Sequence, residues 1–561
     1  VRVNDFRTFQ RQLMALDVIP YHKKKVLIVE DLAEMRSSMK SMLSNMGIQD
    51  IETVNNGEEA LRKMGKEPYD IVFSDYELGR GKDGQQILEE VRYSKLIPAS
   101  SIFILVTAAQ TVEMVMGALE AEPDGYIVKP VTLDLLRTRL NRIVRTKEVY
   151  KEINRALDKR NIDAALDACN RLAIQKPKFA LPAYRIKGRI LLEEKRWEEA
   201  KDLYDTVLGI KRVAWAILGM GKVHYHLGEY EPAKELLESL ANTNSKYVEA
   251  QDWLAKVLEA QGKYKAAQKV LQAAVDESPK SCLRQQELGR VAELNGDPLV
   301  MRKACRKAIG LGKNSVFAKA DPYIGLAKAL QISIKSGSMR ESKMATQEAM
   351  KLIETARVEY ELTPLQNLKA VLAEAETLFN SGNEEEGKLA YAMAKNLMEN
   401  SDQLSLDDQL DVFSSRLLFE TPEEIEKAKQ SLLQEIGDNS RLQTKFYRVI
   451  ENSLSNKPEE RLKLMKTRGQ ELLDRDDIED AIELLSRATL LPNADDETRM
   501  MAFKAIISRF EKGRSSRELL EKGDELDEAL KKVTQDNPLY PTIEKLKQRW
   551  DKVTNERKEN G

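Results

Sequence analysis

The chain has 561 residues, too many for one compact core, so several domains or an extended repeat array are expected. Lysine plus arginine number 89 against 91 for aspartate plus glutamate, a balance that argues against a general nucleic-acid or membrane surface and leaves only local basic patches open. Three widely spaced cysteines, Cys169, Cys282 and Cys305, suit a reducing compartment, no apolar run reaches membrane-spanning length, and Val1 to Lys25 is unlike a secretory signal, so a cytoplasmic protein is expected.

After an extension at residues 1–24, short β-branched runs alternate with amphipathic helical stretches from Lys25 to about Arg145, the pattern of successive βα units. Strands are predicted at Val26 to Glu30, Ile51 to Val54, Asp70 to Ser74, Ile102 to Val106 and Gly125 to Val128. Helices are predicted near Ala33 to Met46, Gly57 to Met64, Gly84 to Tyr93, Thr111 to Ala121 and from Thr132 onward. Five strands with five helices make one doubly wound α/β domain over residues 25–146.

Four of these apolar runs end in reactive groups: Glu30-Asp31, Asp75, Thr107 and Lys129-Pro130. In an open parallel sheet the carboxyl ends of neighbouring strands converge on one crevice, so acids, a hydroxyl and an amine would share a site. That combination suits a metal-assisted phosphoryl acceptor. Each residue also has a plainer role, Asp31 or Asp75 as a helix N-cap, Thr107 bonding its own backbone, Lys129 as a solvated loop lysine.

In these five places, Glu30-Asp31, Asp75, Thr107, Tyr126 and Lys129-Pro130, the segment resembles the receiver domain of bacterial response regulators. The resemblance implies a flavodoxin-like fold, with Asp75 as the phosphoacceptor. Phosphoryl transfer to a carboxylate needs a nucleophilic oxygen, a cation to neutralise charge and donors for the remaining oxygens. Asp31 and Asp75 would hold the cation directly, Glu30 through water, and the Glu77 carbonyl completes the set by family analogy. Oxygen ligands with retained waters suit Mg2+. Lys129 would pair with one phosphoryl oxygen, and Thr107 with the Ala108 N–H would take another. The Lys129-Pro130 bond is expected to be cis, as in the family.

The sequence departs from the family in two places. Glu30 stands where aspartate is often found, and the loop Leu78 to Gly84 has Gly79 in place of a usual proline and is one residue longer, which bears on the rate or lifetime of phosphorylation. In the family, Thr107 moves toward the phosphoryl group and Tyr126 fills the vacated space, altering the face made by the fourth helix, fifth strand and fifth helix. Tyr126 as an ordinary half-exposed strand aromatic is the alternative.

After Lys147 helical periodicity runs to the end. Gly188, Gly221, Ala255 and Gly289 recur at 33, 34 and 34 residues, and twelve residues after the first three stand Ala200, Ala233 and Ala267. Small residues there let the two antiparallel helices of a hairpin approach closely. These residues resemble the tetratricopeptide repeat, with an earlier unit at Ala165 and Pro177; the unit of Gly289 departs from it with Met301 at the second small position. An α-helical repeat solenoid is expected over 147–310 and degenerate, repeat-like helices with a C-terminal helix over 311–561, where Gly469 and Ala481 mark a good unit and Ala375, Gly382 and Gly387 a weaker one. Ser336-Gly337-Ser338 is expected to separate two long helices. Leu135 to Leu157 keep helical spacing without Pro or Gly, so a continuous or barely interrupted helix should join the two halves.

Such solenoids bind partners in their concave groove, and by the resemblance Arg189, Lys222, Lys256 and Arg290 would point into it, with Trp215 and Tyr225 as anchors for an acidic segment. Glu193, Asp252, Glu259 and Glu293 should lie nearby, so a salt-bridged, solvated face is the competing reading. His224 and His226, two apart on a helix, diverge and make a poor metal pair. No Walker loop, cyclic-dinucleotide signature or DNA-reading helix pair is visible. The expected function is therefore a response regulator, no enzyme apart from self-catalysed phosphoryl transfer and hydrolysis. It would be phosphorylated by a histidine kinase or phosphotransfer protein in trans and act through protein binding, without DNA-binding domain or membrane association, with a homodimer among its partners. A phosphate sink that drains a sensor kinase is the alternative, and RNA-reading repeats are disfavoured by the charge balance.

Overall fold

The computed structural model describes residues 19–108, 123–244, 247–399, 404–454, 457–513 and 516–560. The expected helix at Thr111 to Ala121 and most of the 1–24 extension lie outside them. The chain divides into two compact units, residues 1–402 and 403–561.

The first unit opens with strands β1 (Lys25–Val29), β2 (Asp50–Val54), β3 (Ile71–Asp75), β4 (Ile102–Thr107) and β5 (Gly125–Val128). They form one parallel sheet in the order β2-β1-β3-β4-β5. Helices α1 (Ala33–Asn45), α2 (Gly57–Met64), α3 (Gly84–Tyr93) and α4 (Leu133–Val149) accompany it. Because side chains alternate along a strand, Val26, Ile28, Ile71 and Phe73 pack with Leu43, Leu136 and Leu140, while Leu27, Val29 and Val72 pack on the other face with Ala60, Ile87 and Leu88. Burial on both faces explains why these strands read as unbroken apolar runs.

α4 is separated from the helix Lys151–Asp158 by Tyr150 alone, so the join is barely interrupted. Helix hairpins follow, among them Ala180–Glu193 with Trp197–Ile210, Ala214–His226 with Tyr230–Thr243, Val248–Ala260 with Tyr264–Glu277, and Cys282–Asn295 with Pro298–Gly312. The turns of these hairpins hold Lys195, Gly228, Gly262 and Gly296, each with φ between 57° and 78°. A left-handed residue is what lets a helix end and the chain reverse within a few residues. The recurring glycines mark close approach: a Cβ at Gly188 would lie 2.6 Å from Tyr204 Oη, at Gly221 2.7 Å from Leu237 Cγ, and at Gly289 2.8 Å from Cys305 Sγ.

Further on, Ser338 caps the 21-residue helix Met339–Glu359 through a capping box with Glu341. The helical stretch before Ser336-Gly337-Ser338 is not one long helix, as expected from sequence, but two pieces, Asp321–Ala329 and Gln331–Ser336, divided at Leu330. In the second unit the helices Pro458–Asp474 and Ile478–Ala488 form a hairpin whose Gly469 sits against Leu485, where a Cβ would come within 2.4 Å. All three cysteines are buried and unpaired, and burial pushes the thiols of Cys169, Cys282 and Cys305 up to about 11, 11 and 12, so they are core residues rather than nucleophiles. Among the described residues no helix is long and apolar enough to cross a membrane.

Two glycine substitutions test this packing. Gly221→Val should lower solenoid stability by about 1–3 kcal/mol through overpacking against Leu237. Gly310, in the helix Pro298–Gly312 with open space around its Cβ position, should gain about 0.5–1 kcal/mol as Gly310→Ala. Thermal melts of the two variants beside the wild type give both signs.

Candidate functional site

Parallel register sets the site. β1 pairs with β3 so that Val29 stands beside Ser74, β3 with β4 so that Asp75 stands beside Val106, and β4 with β5 so that Thr107 stands beside Val128. The residues that follow, Glu30-Asp31 after β1 and Lys129 after β5, are thereby delivered to the same edge as Asp75. Backbone bonds continue the ladder past the strand ends, Tyr76 N–H to Val106 O and Lys129 N–H to Thr107 O, each 2.8 Å.

The carboxylates of Glu30, Asp31 and Asp75 bring one oxygen each within 4.8 Å of one another. Glu30 and Asp75 are buried, at 3% and 6% exposure, and Asp31 is exposed at the mouth. Lys129 Nζ lies 2.7 Å from Asp75 Oδ2 and 2.9 Å from Glu30 Oε2. Burial raises the Glu30 carboxyl above its ordinary range, opposed by the Lys129 hydrogen bond and reinforced by the charge on Asp75. Burial works against the Lys129 ammonium, yet its bonds to Asp75 and Glu30 prevail and hold its pKa above the usual lysine value. This is a pocket of oxygen donors with an ammonium bound across two of them, chemistry suited to a hard divalent ion and to an anionic group beside it.

Thr107 is buried at the end of β4, next to exposed Ala108. The Lys129-Pro130 peptide is cis. Tyr126 is half-buried against the cluster of Leu27, Phe103 and Leu105, and burial raises its phenol pKa. Its hydroxyl is shielded from solvent and has no hydrogen-bond partner among the described residues. The Glu77 side chain is exposed.

Some residues that shape the pocket carry no sequence signal. Arg36, from α1, donates through Nη1 to the carbonyl oxygens of Glu30 at 2.6 Å and Asp31 at 3.1 Å, fixing the backbone of the acidic pair. Gly84, the first residue of α3, crosses so close to β3 that a Cβ would lie 2.1 Å from Asp75 O. The helix begins there through the capping box of Asp83 with Gln86.

In the repeat region the basic ladder is answered within the chain. Arg189 lies 3.7 Å from Glu193, Lys222 pairs with Glu249, and Arg290 pairs with Glu259 and, at 2.7 Å, with Glu287. Lys256 lies over the Trp253 ring, 4.3 Å from its centroid. Of the other expected acids, Asp252 is taken by Arg284 and Glu293 by Lys328. Trp215 meets Tyr204 edge-on, and Tyr225 packs among Tyr230, His226 and Trp253, so both aromatics belong in part to the solenoid's own packing. His224 reaches Glu229 while His226 stacks on Trp197, which separates the two imidazoles.

Comparison with known proteins places these observations. The family model for the response regulator receiver domain matches residues 26–141, and a tetratricopeptide repeat model matches residues 218–281. The chemotaxis protein CheY-3 of Vibrio cholerae is 29% identical over 128 residues, 23% of this chain and 97% of that protein. A probable transcriptional regulator, ycf27, of Guillardia theta is 33% identical over 130 residues, 23% of this chain and about half, 49%, of the relative. Among solved structures, the signal receiver domain of a modulated diguanylate cyclase from Desulfovibrio desulfuricans is 28% identical with a TM-score of 0.21, covering 22% of this chain and 97% of its own. CheY4 of Vibrio cholerae is 26% identical with a TM-score of 0.20, covering 21% and 98%. The chain joins a CheY-like response regulator receiver domain, over residues 26–141, to a helical region of tetratricopeptide repeat type.

Proposed function

We propose that this protein is a cytoplasmic response regulator whose receiver, residues 25–146, accepts a phosphoryl group on Asp75 from a separate histidine kinase or phosphotransfer protein. Its repeats, residues 147–310 with a degenerate continuation to 561, carry the output by binding another protein. The observation that supports this most is the gathering of Glu30, Asp31, Asp75 and Lys129 at one edge of the sheet.

The Asp75 carboxylate attacks phosphorus as the donor's bond to it breaks, leaving an acyl phosphate that water later hydrolyses. Before transfer, Lys129 holds Asp75 and Glu30 together; on transfer its ammonium turns to a phosphoryl oxygen, a move its flexible stem allows. Thr107 and the Ala108 N–H take a second oxygen. The three carboxylates suit Mg2+, which Asp31 and Asp75 would hold directly, Glu30 through water, with the Glu77 carbonyl completing the set, and a bound ion would supply charge neutralisation for the transferring group. Since a phosphoryl group adds about −1.5 to −2 charges, the pocket changes its field on loading. Tyr126, with its buried hydroxyl beside β4, is the neighbour through which Thr107 would signal that change.

Asp75→Asn should abolish labelling by a small acyl phosphate while the fold persists, as circular dichroism would record; retained labelling at the wild-type rate defeats the assignment. Removing divalent cations with a chelator, or replacing Asp31→Ala, should slow labelling by about 100-fold, the scale on which loss of one electrostatic stabiliser acts. Lys129→Ala should still take up some label but show a smaller loading-dependent change in its proteolysis pattern than the wild type, and an equal change would remove Lys129 from the switch.

A further inference from the structure

The loop after β3 touches the acid cluster at one end and the repeat region at the other. At Gly79 a Cβ would lie 3.1 Å from Asp31 Oδ2, so the backbone there rests on the outermost acid. Two residues on, Gly81 O accepts a hydrogen bond from the Asn314 side-chain amide at 3.2 Å. The Lys82 ammonium reaches Asn314 O and, at 2.8 Å, Glu90 Oε2. Gln86 Nε2 donates to Lys313 O at 3.4 Å, and the Tyr93 ring meets Phe317 edge-on with centroids 5.7 Å apart. Only 17% of the Lys82 side chain is exposed, which makes it part of this contact rather than of a solvated face.

The loop has little slack between these ends. Gly79 and Gly81 stand at φ 65° and 95°, backbone that side-chain-bearing residues rarely adopt. A Cβ at Gly81 would meet the Glu58 carboxylate at 2.6 Å, the Lys82 N–H donates to Glu58 Oε1 at 3.2 Å, and Gly84 is pressed on the Asp75 carbonyl. On the solenoid side Asn314 itself is left-handed, φ 71°, in the turn after Pro298–Gly312, a conformation asparagine tolerates better than most. Gly79 and Gly81–Lys82 thus stand two or three residues apart, each against a charged side chain of the receiver, Asp31 and Glu58.

We propose that the segment Gly79–Gln86 is a latch that holds the solenoid turn Lys313–Phe317 while Asp75 is unmodified and lets it go when Asp75 is loaded. This rests on the phosphoacceptor reading of Asp75 and adds the route: the signal passes from the site into the chain's own repeats through the loop beside the nucleophile. Drawing Asp31 and the backbone at Gly79 toward a cation and phosphoryl group takes up the reach that Gly81 and Lys82 need for Asn314. By linkage, a latch opened by loading must in turn disfavour loading, so cutting it should tighten binding of a phosphoryl mimic by the same factor.

The test uses hydrogen exchange of the full chain, read by mass spectrometry over residues 310–318, with and without beryllofluoride and Mg2+, while 19F NMR reports loading. Loading should speed exchange in this segment by about fivefold or more. Lys82→Ala should show the faster exchange without any mimic and bind beryllofluoride more tightly by a similar factor. Asp75→Asn should show neither loading nor faster exchange. Full loading with unchanged exchange overturns the latch and leaves the phosphoacceptor reading intact, as does a Lys82→Ala chain that matches the wild type in both measurements. Failure of the wild type to load overturns the reading of Asp75 itself.

Discussion

The receiver depends on one ionic arrangement, Lys129 bridging Asp75 and Glu30 at the edge of a sheet whose central strands β3 and β4 are fully buried. Two carboxylates at 6% and 3% exposure carry a heavy desolvation cost there unless a partner offsets it, since removing charge from water costs far more than a hydrogen bond returns. Lys129 supplies that partner only because β5 pairs with β4 in a register that continues through its own N–H to Thr107 O. The strand order thus sets the electrostatics: moving β5 by one residue would turn the ammonium to the opposite face and leave the acids unanswered. Asp31, outside this bridge and exposed, is the third acid of the cluster.

The repeat region is held by the opposite kind of force, apolar contact between helices brought close by missing side chains. Gly188 admits Tyr204, Gly221 admits Leu237 and Gly289 admits Cys305, while left-handed residues at 195, 228, 262 and 296 reverse the chain once per unit. Met301, which breaks the small-residue pattern, is itself buried at 4% exposure, packed beside Cys305 and Leu326, so the larger residue is taken into the core. Charged residues on these helices largely satisfy one another, as Arg290 does with Glu259 and Glu287. Exposed pairs of this kind contribute little to stability but fix which face a partner would meet.

What could be read from sequence was what local periodicity and strand ends encode. The five strands fall within a residue of their expected bounds; burial on both faces writes an unbroken apolar run in β1, β3 and β4, and the repeat glycines stand where helices touch. The division at Leu330 was hidden, since Leu330 keeps helical angles, φ −73° and ψ −14°, and nothing in its residue type interrupts the pattern. Lys195 at φ 57° was equally silent, a lysine doing what glycine does in the next three turns. Arg36 acts through backbone carbonyls, which leave no mark on the residues they belong to. The pairing of the ladder depended on which of several nearby acids each base would choose, a matter of rotamers across repeats. The contact of Gly81 with Asn314 joins positions 233 apart, beyond the reach of any spacing argument.

The receiver is fastened to its repeats in more than one place, and that decides how a local change is felt. At the covalent join, Lys147 donates to Ala99 O at 2.9 Å, while Asp158 accepts from the Ala99 N–H at 2.6 Å and from Ser100 Oγ at 2.8 Å. These bonds tie the loop between α3 and β4 to the helices on both sides of Tyr150, so the join cannot swivel freely. The second fastening is the loop beside Asp75 on the turn at Asn314. With only the first, a shift at the acid cluster would be absorbed by local motion of an unattached loop. With both, chain, join and latch close a ring, and a shift of the loop must either strain that ring or open its weaker member. The join is covalent and additionally bonded, whereas the latch consists of hydrogen bonds and one aromatic edge, each worth about 1 kcal/mol net. Energy of that size matches what two coupled sites exchange, so the weak fastening is the element that can answer to a charge placed on Asp75.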